Sequence, residues 1–225
     1  MKIVSYDSAR VTWLFPLEEF APASGAHSIS IVGLLAQRYQ FTITPKITTK
    51  EDMAKSGLQF GMGGFEYQGQ RIIVPDFVVY NDGLVAITQK TEWSEAFLED
   101  VTQWVIKEFG FRNPTSGTRK LYSSTLVVDF ETQISRLVVG YKRIAEIISS
   151  RVVTIMPEPK PMHFSRIDFE VDKRTLEGQL ALPKFILERR GGVLFSQERF
   201  FSVAPMHTAD HLQTLIDIEK LATET

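Results

Sequence analysis

The stretch Pro75–Phe109 decides the fold class, and it reads PDFVVYNDGLVAITQKTEWSEAFLEDVTQWVIKEF. Two apolar runs, Pro75–Tyr80 and Leu84–Thr88, flank the turn sequence Asn-Asp-Gly at 81–83. Runs rich in β-branched and aromatic residues around an Asp-Gly turn are typical of a β-hairpin, and we expect a turn of type I′. A helical pattern follows directly, so one continuous segment predicts strand, turn, strand and helix.

The helix of this segment is predicted over Thr91–Phe109. Its apolar residues recur at the spacings of one wide helix face. They are Phe97, Leu98, Val101, Trp104, Val105 and Phe109. Gly110 is placed to end the helix, because glycine adopts the left-handed backbone conformation at helix ends without strain.

The rest of the chain repeats these signals with more strands than helices. Strands are predicted at Lys2–Tyr6, Arg10–Phe15, Phe41–Thr44, Leu58–Tyr67, Arg71–Val74, Leu121–Phe130, Phe164–Val171, Phe185–Arg190 and Val193–Val203. A Gly191-Gly192 turn is expected between the last two. Helices are predicted at Ser28–Tyr39, along Ile134, Leu137, Val138, Tyr141, Ile144 and Ile148, and from Thr208 along Leu212, Leu215, Ile216 and Leu221. The fold class is therefore α+β: a mixed, mostly antiparallel sheet packed by about three amphipathic helices.

Two segments suit neither helix nor strand. Thr48 or Thr49 can cap a short turn through Met53, and the three prolines of Met156–Pro161 predict an extended connector.

The domain organisation is predicted as a single α+β domain over 1–225, with two lobes, 1–112 and 119–225, as the alternative. The Asn-Pro-Thr-Ser-Gly-Thr loop at 113–118 would join them. Each half ends in strands followed by a helix that starts at a threonine, at Ala86–Phe109 and Ser202–Thr223. An internal duplication would explain this rhythm, but the thin residue identity favours separate use of one β-β-α motif.

Composition narrows the function classes. The chain has 225 residues, 44% of them hydrophobic, and 25 basic against 27 acidic residues give a net charge of -2. This balance gives no strong signal for nucleic acid or for an anionic membrane. The sequence has no cysteine, which excludes disulfides, thiolate metal sites and cysteine nucleophiles. The sequence shows no signal peptide and no run of roughly 18 apolar residues, so we expect a cytoplasmic protein without membrane association. We also expect no cofactor.

Asp76 and Lys90 are the first candidate catalytic residues. Pro75-Asp76, a hairpin, a strand running to Lys90 and then a helix form an order that resembles the core of the PD-(D/E)xK nuclease superfamily. The resemblance implies a divalent metal held by an Asp and a Glu or Gln, and a Lys that stabilises the developing charge. Thr88 stands where the motif has its second acid, and Gln89 adjoins the lysine. The structural alternative, which we favour, makes Asp76 a residue after a strand-breaking proline.

His207, Asp210 and His211 are candidate metal ligands, because two histidines four residues apart on a helix can share one ion. The alternative, which we favour, is that Thr208 caps a helix, His207 lies before it, and Asp210 complements its dipole. A third candidate is the basic turn at 189–192, Arg-Arg-Gly-Gly, which could bind phosphate or form a solvated hairpin tip.

These observations favour a non-enzymatic protein–protein interaction or assembly protein, with a protein partner or self-association into a homo-oligomer. Abundant strands and sixteen phenylalanines suit edge pairing or an apolar interface. The alternative is a divalent-metal-dependent nuclease or phosphodiesterase built on Asp76 and Lys90. Binding of a small ligand between sheet and helices stays open as a third reading.

Overall fold

A computed structural model describes residues 1–22, 28–45, 56–138, 140–152, 162–172, 174 and 182–224. Its strands are β1 Lys2–Leu14, β2 Leu58–Tyr67, β3 Gln70–Tyr80, β4 Gly83–Thr88, β5 Arg119–Asp129, β6 Arg166–Phe169, β7 Phe185–Arg189 and β8 Arg199–Ala204. Its α-helices are α1 Leu17–Phe20, α2 Ser28–Arg38, α3 Thr91–Phe109, α4 Tyr141–Val152 and α5 Thr208–Glu224. The predicted turn through Met53 and the Met156–Pro161 connector lie outside the described residues.

The α+β prediction is confirmed. The strands pair in the order β2-β3-β4-β1-β5-β8-β7-β6, and the sheet is antiparallel. The described part of the chain contains five α-helices rather than about three. One of them, α1, is a single turn of four residues, too short to produce a periodic pattern in the sequence.

The hairpin and helix of the deciding stretch are both present. Strands β3 and β4 pair in register from Asp76↔Ile87 to Tyr80↔Gly83, and α3 ends at Gly110 in the left-handed conformation. The type I′ prediction is wrong, because φ is positive at neither central residue of the turn, positions 81 and 82. Gly83 is required for another reason: a Cβ there would lie 2.0 Å from the carbonyl oxygen of Trp13 on the neighbouring strand β1.

Four strand predictions are corrected. The two N-terminal strands are one continuous strand, β1. The strands predicted at Arg71–Val74 and Pro75–Tyr80 are also one strand, β3, so Pro75 does not break it. Only Ile43 of Phe41–Thr44 pairs, in an isolated bridge to Gly61. Strands β7 and β8 pair as predicted around the Gly191-Gly192 turn, but β8 begins only at Arg199, because a 3₁₀ turn at Phe195–Gln197 precedes it.

The helix predicted along Ile134–Ile148 is divided in two. A 3₁₀ turn occupies Ile134–Leu137, Gly140 has φ +77°, and α4 begins only at Tyr141. Ile134 is fully buried, whereas Ile144 and Ile148 are exposed. The apolar residues that the sequence aligns on one face therefore face different surroundings.

When the one-turn helix α1 and the 3₁₀ turns are set aside, the element order β-α-β-β-β-α occurs twice along the described chain. The first half runs β1, α2, β2, β3, β4, α3, and the second runs β5, α4, β6, β7, β8, α5. The strand order repeats as well, with β2-β3-β4-β1 matching β6-β7-β8-β5. The two halves thus share a topology far beyond the β-β-α motif visible in the sequence.

Contacts divide the chain into two compact units. The N-terminal unit comprises Asp7–Ser124 and Pro205–Thr208, and the C-terminal unit comprises Met1–Tyr6, Thr125–Ala204 and Ala209–Thr225. These units are defined by contacts, and the division into domains at the 113–118 loop stays a prediction.

The cores of the two units differ in size. Among the described residues, eighteen buried apolar residues form the core of the N-terminal unit, and eight form that of the C-terminal unit. The larger core surrounds the ring of Phe97 on α3.

Within the N-terminal unit, Thr91 and Thr208 exchange hydrogen bonds. The backbone N–H of Thr91 donates to Oγ1 of Thr208 over 2.9 Å, and the N–H of Thr208 donates to Oγ1 of Thr91 over 2.8 Å. The two hydroxyl oxygens are 3.1 Å apart, and both residues are buried. Each threonine thus satisfies a backbone donor that the start of a helix leaves without an intrahelical partner.

We expect Thr91→Val and Thr208→Val each to lower the free energy of unfolding by about 1–3 kcal/mol, because each leaves a buried N–H unsatisfied. The double variant should lose about 1 kcal/mol less than the sum of the two, because both single variants break the same hydroxyl–hydroxyl bond. Urea denaturation of the four proteins measures this difference. Strict additivity would contradict the reciprocal arrangement.

Candidate functional site

Asp76 lies on the outer face of the sheet in the N-terminal unit. It is exposed on β3, where it pairs with Gly61 and Ile87. The buried residues of β3 change parity at Pro75, from Ile72 and Val74 before it to Phe77 after it. This change places Asp76 on the solvent side, and it is a property of the strand that the Pro-Asp dipeptide alone does not reveal.

A shallow depression of about 690 Å³ surrounds Asp76, and Asp7 and Gln89 also line it. Lys90 is half-buried, and its ammonium lies 4.8 Å from the centre of the Trp93 ring. No group of three or more His, Asp and Glu side chains within the described ranges could hold a metal ion. The structure thus brings Asp76 and Gln89 into one depression and places the Lys90 ammonium over the ring of Trp93, which lines the same depression. The nuclease site stays a prediction.

His207 and His211 occupy different environments. His207 precedes α5, as expected, and its ring centre lies 3.8 Å from that of Tyr122. His211 is fully buried on α5, and its Nε2 lies 2.8 Å from Oγ of Ser202. Asp210 is exposed in the first turn of α5, where a carboxylate complements the helix dipole.

The hydrogen bonds of Ser202 indicate the tautomer of His211. Ser202 Oγ donates its single proton to the carbonyl oxygen of Ile186 over 2.9 Å. It must therefore accept from His211, so Nε2 carries the proton and has no lone pair for a metal. Burial lowers the pKa of His211 to about 4, which keeps the ring neutral near pH 7. Metal binding by this group of residues stays a prediction.

The Arg189 guanidinium is held within the C-terminal unit. It donates to the carbonyl oxygens of Phe164 and Phe195 over 2.8 and 3.0 Å, and to Glu198 over 2.7 Å. The side chains of Arg189 and Glu198 are only 7% and 10% exposed. Because all three guanidinium nitrogens bond to the protein, Arg189 serves the fold and is not presented to a phosphate. The sequence offered no signal for Glu198 as its partner. Arg190 is exposed, with its guanidinium 6.0 Å from the centre of the Phe201 ring, and phosphate binding by the turn stays a prediction.

An apolar cavity of about 270 Å³ lies in the N-terminal unit, between the sheet and helices α1, α2 and α3. Helix α2 contributes Ile31, Val32 and Leu35 to its wall. Strands β2 and β3 contribute Phe60 and Phe77, among others. Helix α2 therefore covers this part of the sheet.

The C-terminal unit has an apolar groove of about 510 Å³, which we call the C-terminal groove. Its lining residues are all apolar, and they are Leu137, Val138, Ile167, Phe169, Phe185, Leu187, Ile218 and Leu221. Phe169, on strand β6, is 63% exposed, and Leu221, on α5, is 56% exposed. A lining of this kind suits an apolar occupant and offers no group for catalysis.

Helix α4 carries a second apolar surface in the same unit, which we call the isoleucine face. Ile144, Ile147 and Ile148 are 52%, 55% and 40% exposed. Their spacing of three and four residues places them on one side of the helix. None of the α4 side chains that the structure describes, Tyr141–Arg151, lines the C-terminal groove.

No protein-family model matches the chain, and no curated protein matches it in sequence. Across the described ranges, no helix combines the length and apolar character that a membrane span requires.

Proposed function

We propose that this chain is a non-enzymatic interaction or assembly protein that associates with itself through the C-terminal unit. The observation that carries the proposal is the uneven distribution of exposed large apolar residues. Among the described residues, thirteen belong to the C-terminal unit and only four, Leu34, Ile43, Met62 and Ile73, to the N-terminal unit. The unit with the smaller core thus exposes the larger apolar set, as expected of a surface that a partner covers.

The groove suits this role better than the sheet edge does. Strand β6 is the last strand of the sheet and has only four residues. Arg166 on this strand forms a two-pronged ion pair with Asp168 and a further contact with Glu188. Short, charged edge strands resist pairing with another chain, so the apolar surfaces beside the edge are the better contact.

We also propose that the protein is cytoplasmic. A cytoplasmic protein has no need of disulfides, and the cysteine-free sequence fits a reducing compartment. The neutral charge balance fits a protein partner better than a nucleic acid.

Native mass spectrometry and light scattering over a range of protein concentrations test the proposal. We expect a defined homo-oligomer that dissociates on dilution and persists at high salt, because apolar contacts are not screened. A monomer at all concentrations would contradict self-association. Metal-dependent cleavage of DNA or RNA that Asp76→Ala abolishes in a folded protein would favour the nuclease alternative instead.

A further inference from the structure

The repeated topology allows the two apolar sites to be compared element by element. In the N-terminal unit, strands β2 and β3 and helix α3 form the cavity wall, and α2 covers it with Ile31, Val32 and Leu35. Leu35 is only 6% exposed there. The first helix of the repeat is thus the cover of an apolar sheet surface.

The C-terminal groove has three of the corresponding walls, and among the described residues no helix contributes to it in the way that α2 contributes to the cavity. Strands β6 and β7 and helix α5 occupy the positions of β2, β3 and α3 in the repeat, and each contributes lining residues. Helix α4 occupies the position of α2 in the order of elements, yet none of its described side chains lines the groove. Its isoleucine face has three aliphatic side chains, as many as α2 contributes to the cavity wall.

Contacts within the chain hold α4 against residues 162–164. The backbone N–H of Phe164 donates to the hydroxyl oxygen of Tyr141, and the Tyr141 and Phe164 rings meet edge to face with centres 6.2 Å apart. The N–H of Met162 donates to Oγ of Ser149 over 3.0 Å. Both ends of α4 are thus tied to residues 162–164 while the isoleucine face remains exposed.

We propose that the isoleucine face of α4 from a second copy of this chain occupies the C-terminal groove, an inference that rests on the proposed self-association. Because one chain carries both surfaces, reciprocal exchange between two copies buries both grooves and both isoleucine faces in a closed two-fold dimer. An exchanged α4 then takes the place that α2 holds in the N-terminal unit.

The charges of the two helices are complementary. Helix α4 carries Lys142, Arg143 and Arg151 against the single acid Glu146. Helix α5, one wall of the groove, carries the exposed acids Asp210, Asp217 and Glu224 against the single base Lys220, whereas its Glu219 pairs with the N-terminal ammonium. Opposite net charges on the two helices favour this pairing over that of two α4 helices with each other.

Substitution of Ile147 by lysine tests the isoleucine face. We expect Ile147→Lys to raise the dissociation constant of the dimer by about tenfold or more, since it places a charge at the centre of an apolar contact. Ile73→Lys is the matched control, because Ile73 is 54% exposed against 55% for Ile147 and lies in the N-terminal unit. Equal effects of the two variants on the dissociation constant would overturn the proposal. Circular dichroism of both variants checks that the fold is retained.

Thiol cross-linking tests which surfaces meet, and the cysteine-free chain provides a clean background. Ile147→Cys and Leu221→Cys chains are mixed and treated with a short bis-maleimide. We expect a cross-linked heterodimer between residues 147 and 221 in the mixture. An intramolecular link within a monomer of the doubly substituted chain would instead place α4 on its own groove and overturn the exchange.

The outcomes separate the two proposals. A homo-oligomer whose chains do not cross-link between 147 and 221 overturns the exchange of α4 and leaves self-association standing. A protein that remains monomeric at all concentrations overturns both.

Discussion

Replacement of Phe97 by alanine is expected to lower the free energy of unfolding by about 4 kcal/mol. Phe97 is fully buried on α3. Its ring centre lies 5.0 Å from that of Tyr39, 5.2 Å from that of Phe77, 5.4 Å from that of Phe65 and 6.3 Å from that of Phe41, in each case in edge-to-face geometry. Removal of the ring therefore breaks four aromatic contacts at once, and rigid neighbours cannot close the space left behind.

The effect is large because a domain of this kind has a total stability of about 5–15 kcal/mol. Urea denaturation followed by circular dichroism measures the loss. Phe195→Ala is the matched control, since Phe195 is 43% exposed and its loss should cost about 1 kcal/mol. A loss for Phe97→Ala no greater than that for Phe195→Ala would show that the aromatic cluster does not set the stability of the N-terminal unit.

The sequence predicted α3 and its hairpin well because every local signal there agrees. Phe97, Leu98, Val101 and Val105 are buried as the periodicity requires, and Gly110 ends the helix. Helix and hairpin formation here depend on residues close in sequence, so the information is local.

The helix predicted across Ile134–Ile148 was wrong because periodicity does not report a break. Gly140 was the only local warning, and a single glycine costs a helix only about 1 kcal/mol. Tertiary contacts decide the outcome: Ile134 enters the core, and Tyr141 hydrogen-bonds to residue 164. The exposed isoleucine face could not be foreseen, because the sequence pattern is that of a helix buried on one side.

The C-terminal groove and the threonine pair depend on residues distant in sequence. Thr91 and Thr208 are 117 residues apart, and the groove joins residues from Leu137 to Leu221. The sequence marked both threonines as helix starts but could not pair them. The repeated topology shows that α2 and α4 are equivalent in the order of elements, although among the described residues only α2 lines the apolar site of its unit.

His211 stands in the second half of the repeat where Ser94 stands in the first, three residues after the threonine that begins the helix. Both side chains are buried and bond to a hydroxyl of the preceding strand, that of Thr88 for Ser94 and that of Ser202 for His211. The imidazole of His211 is a titratable group in the interior, whereas the serine hydroxyl at the equivalent position is not. The free energy of unfolding therefore depends on pH through His211.

We expect acid to destabilise the C-terminal unit through His211. Burial lowers its pKa from 6.5 to about 4 in the folded protein, whereas the unfolded chain binds a proton at its ordinary pKa. Below pH 6.5 the unfolded state therefore binds more protons than the folded state, and stability falls as the pH falls. The loss amounts to about 3 kcal/mol by pH 4 and levels off below it, since one pKa unit corresponds to about 1.4 kcal/mol.

The variant His211→Gln isolates this effect from carboxylates such as Asp129, whose pKa is lowered by Arg199 and which also lose stability in acid. Glutamine keeps an amide donor for Ser202 but does not titrate. Urea denaturation at pH 7, 6 and 5 should show the wild type losing stability relative to His211→Gln with a slope that approaches 1.4 kcal/mol per pH unit. His163→Gln, which removes an exposed imidazole, controls for the loss of one ring. Parallel curves for the wild type and His211→Gln would show that the buried ring is protonated in the folded protein as readily as in the unfolded chain, against the burial that the structure shows.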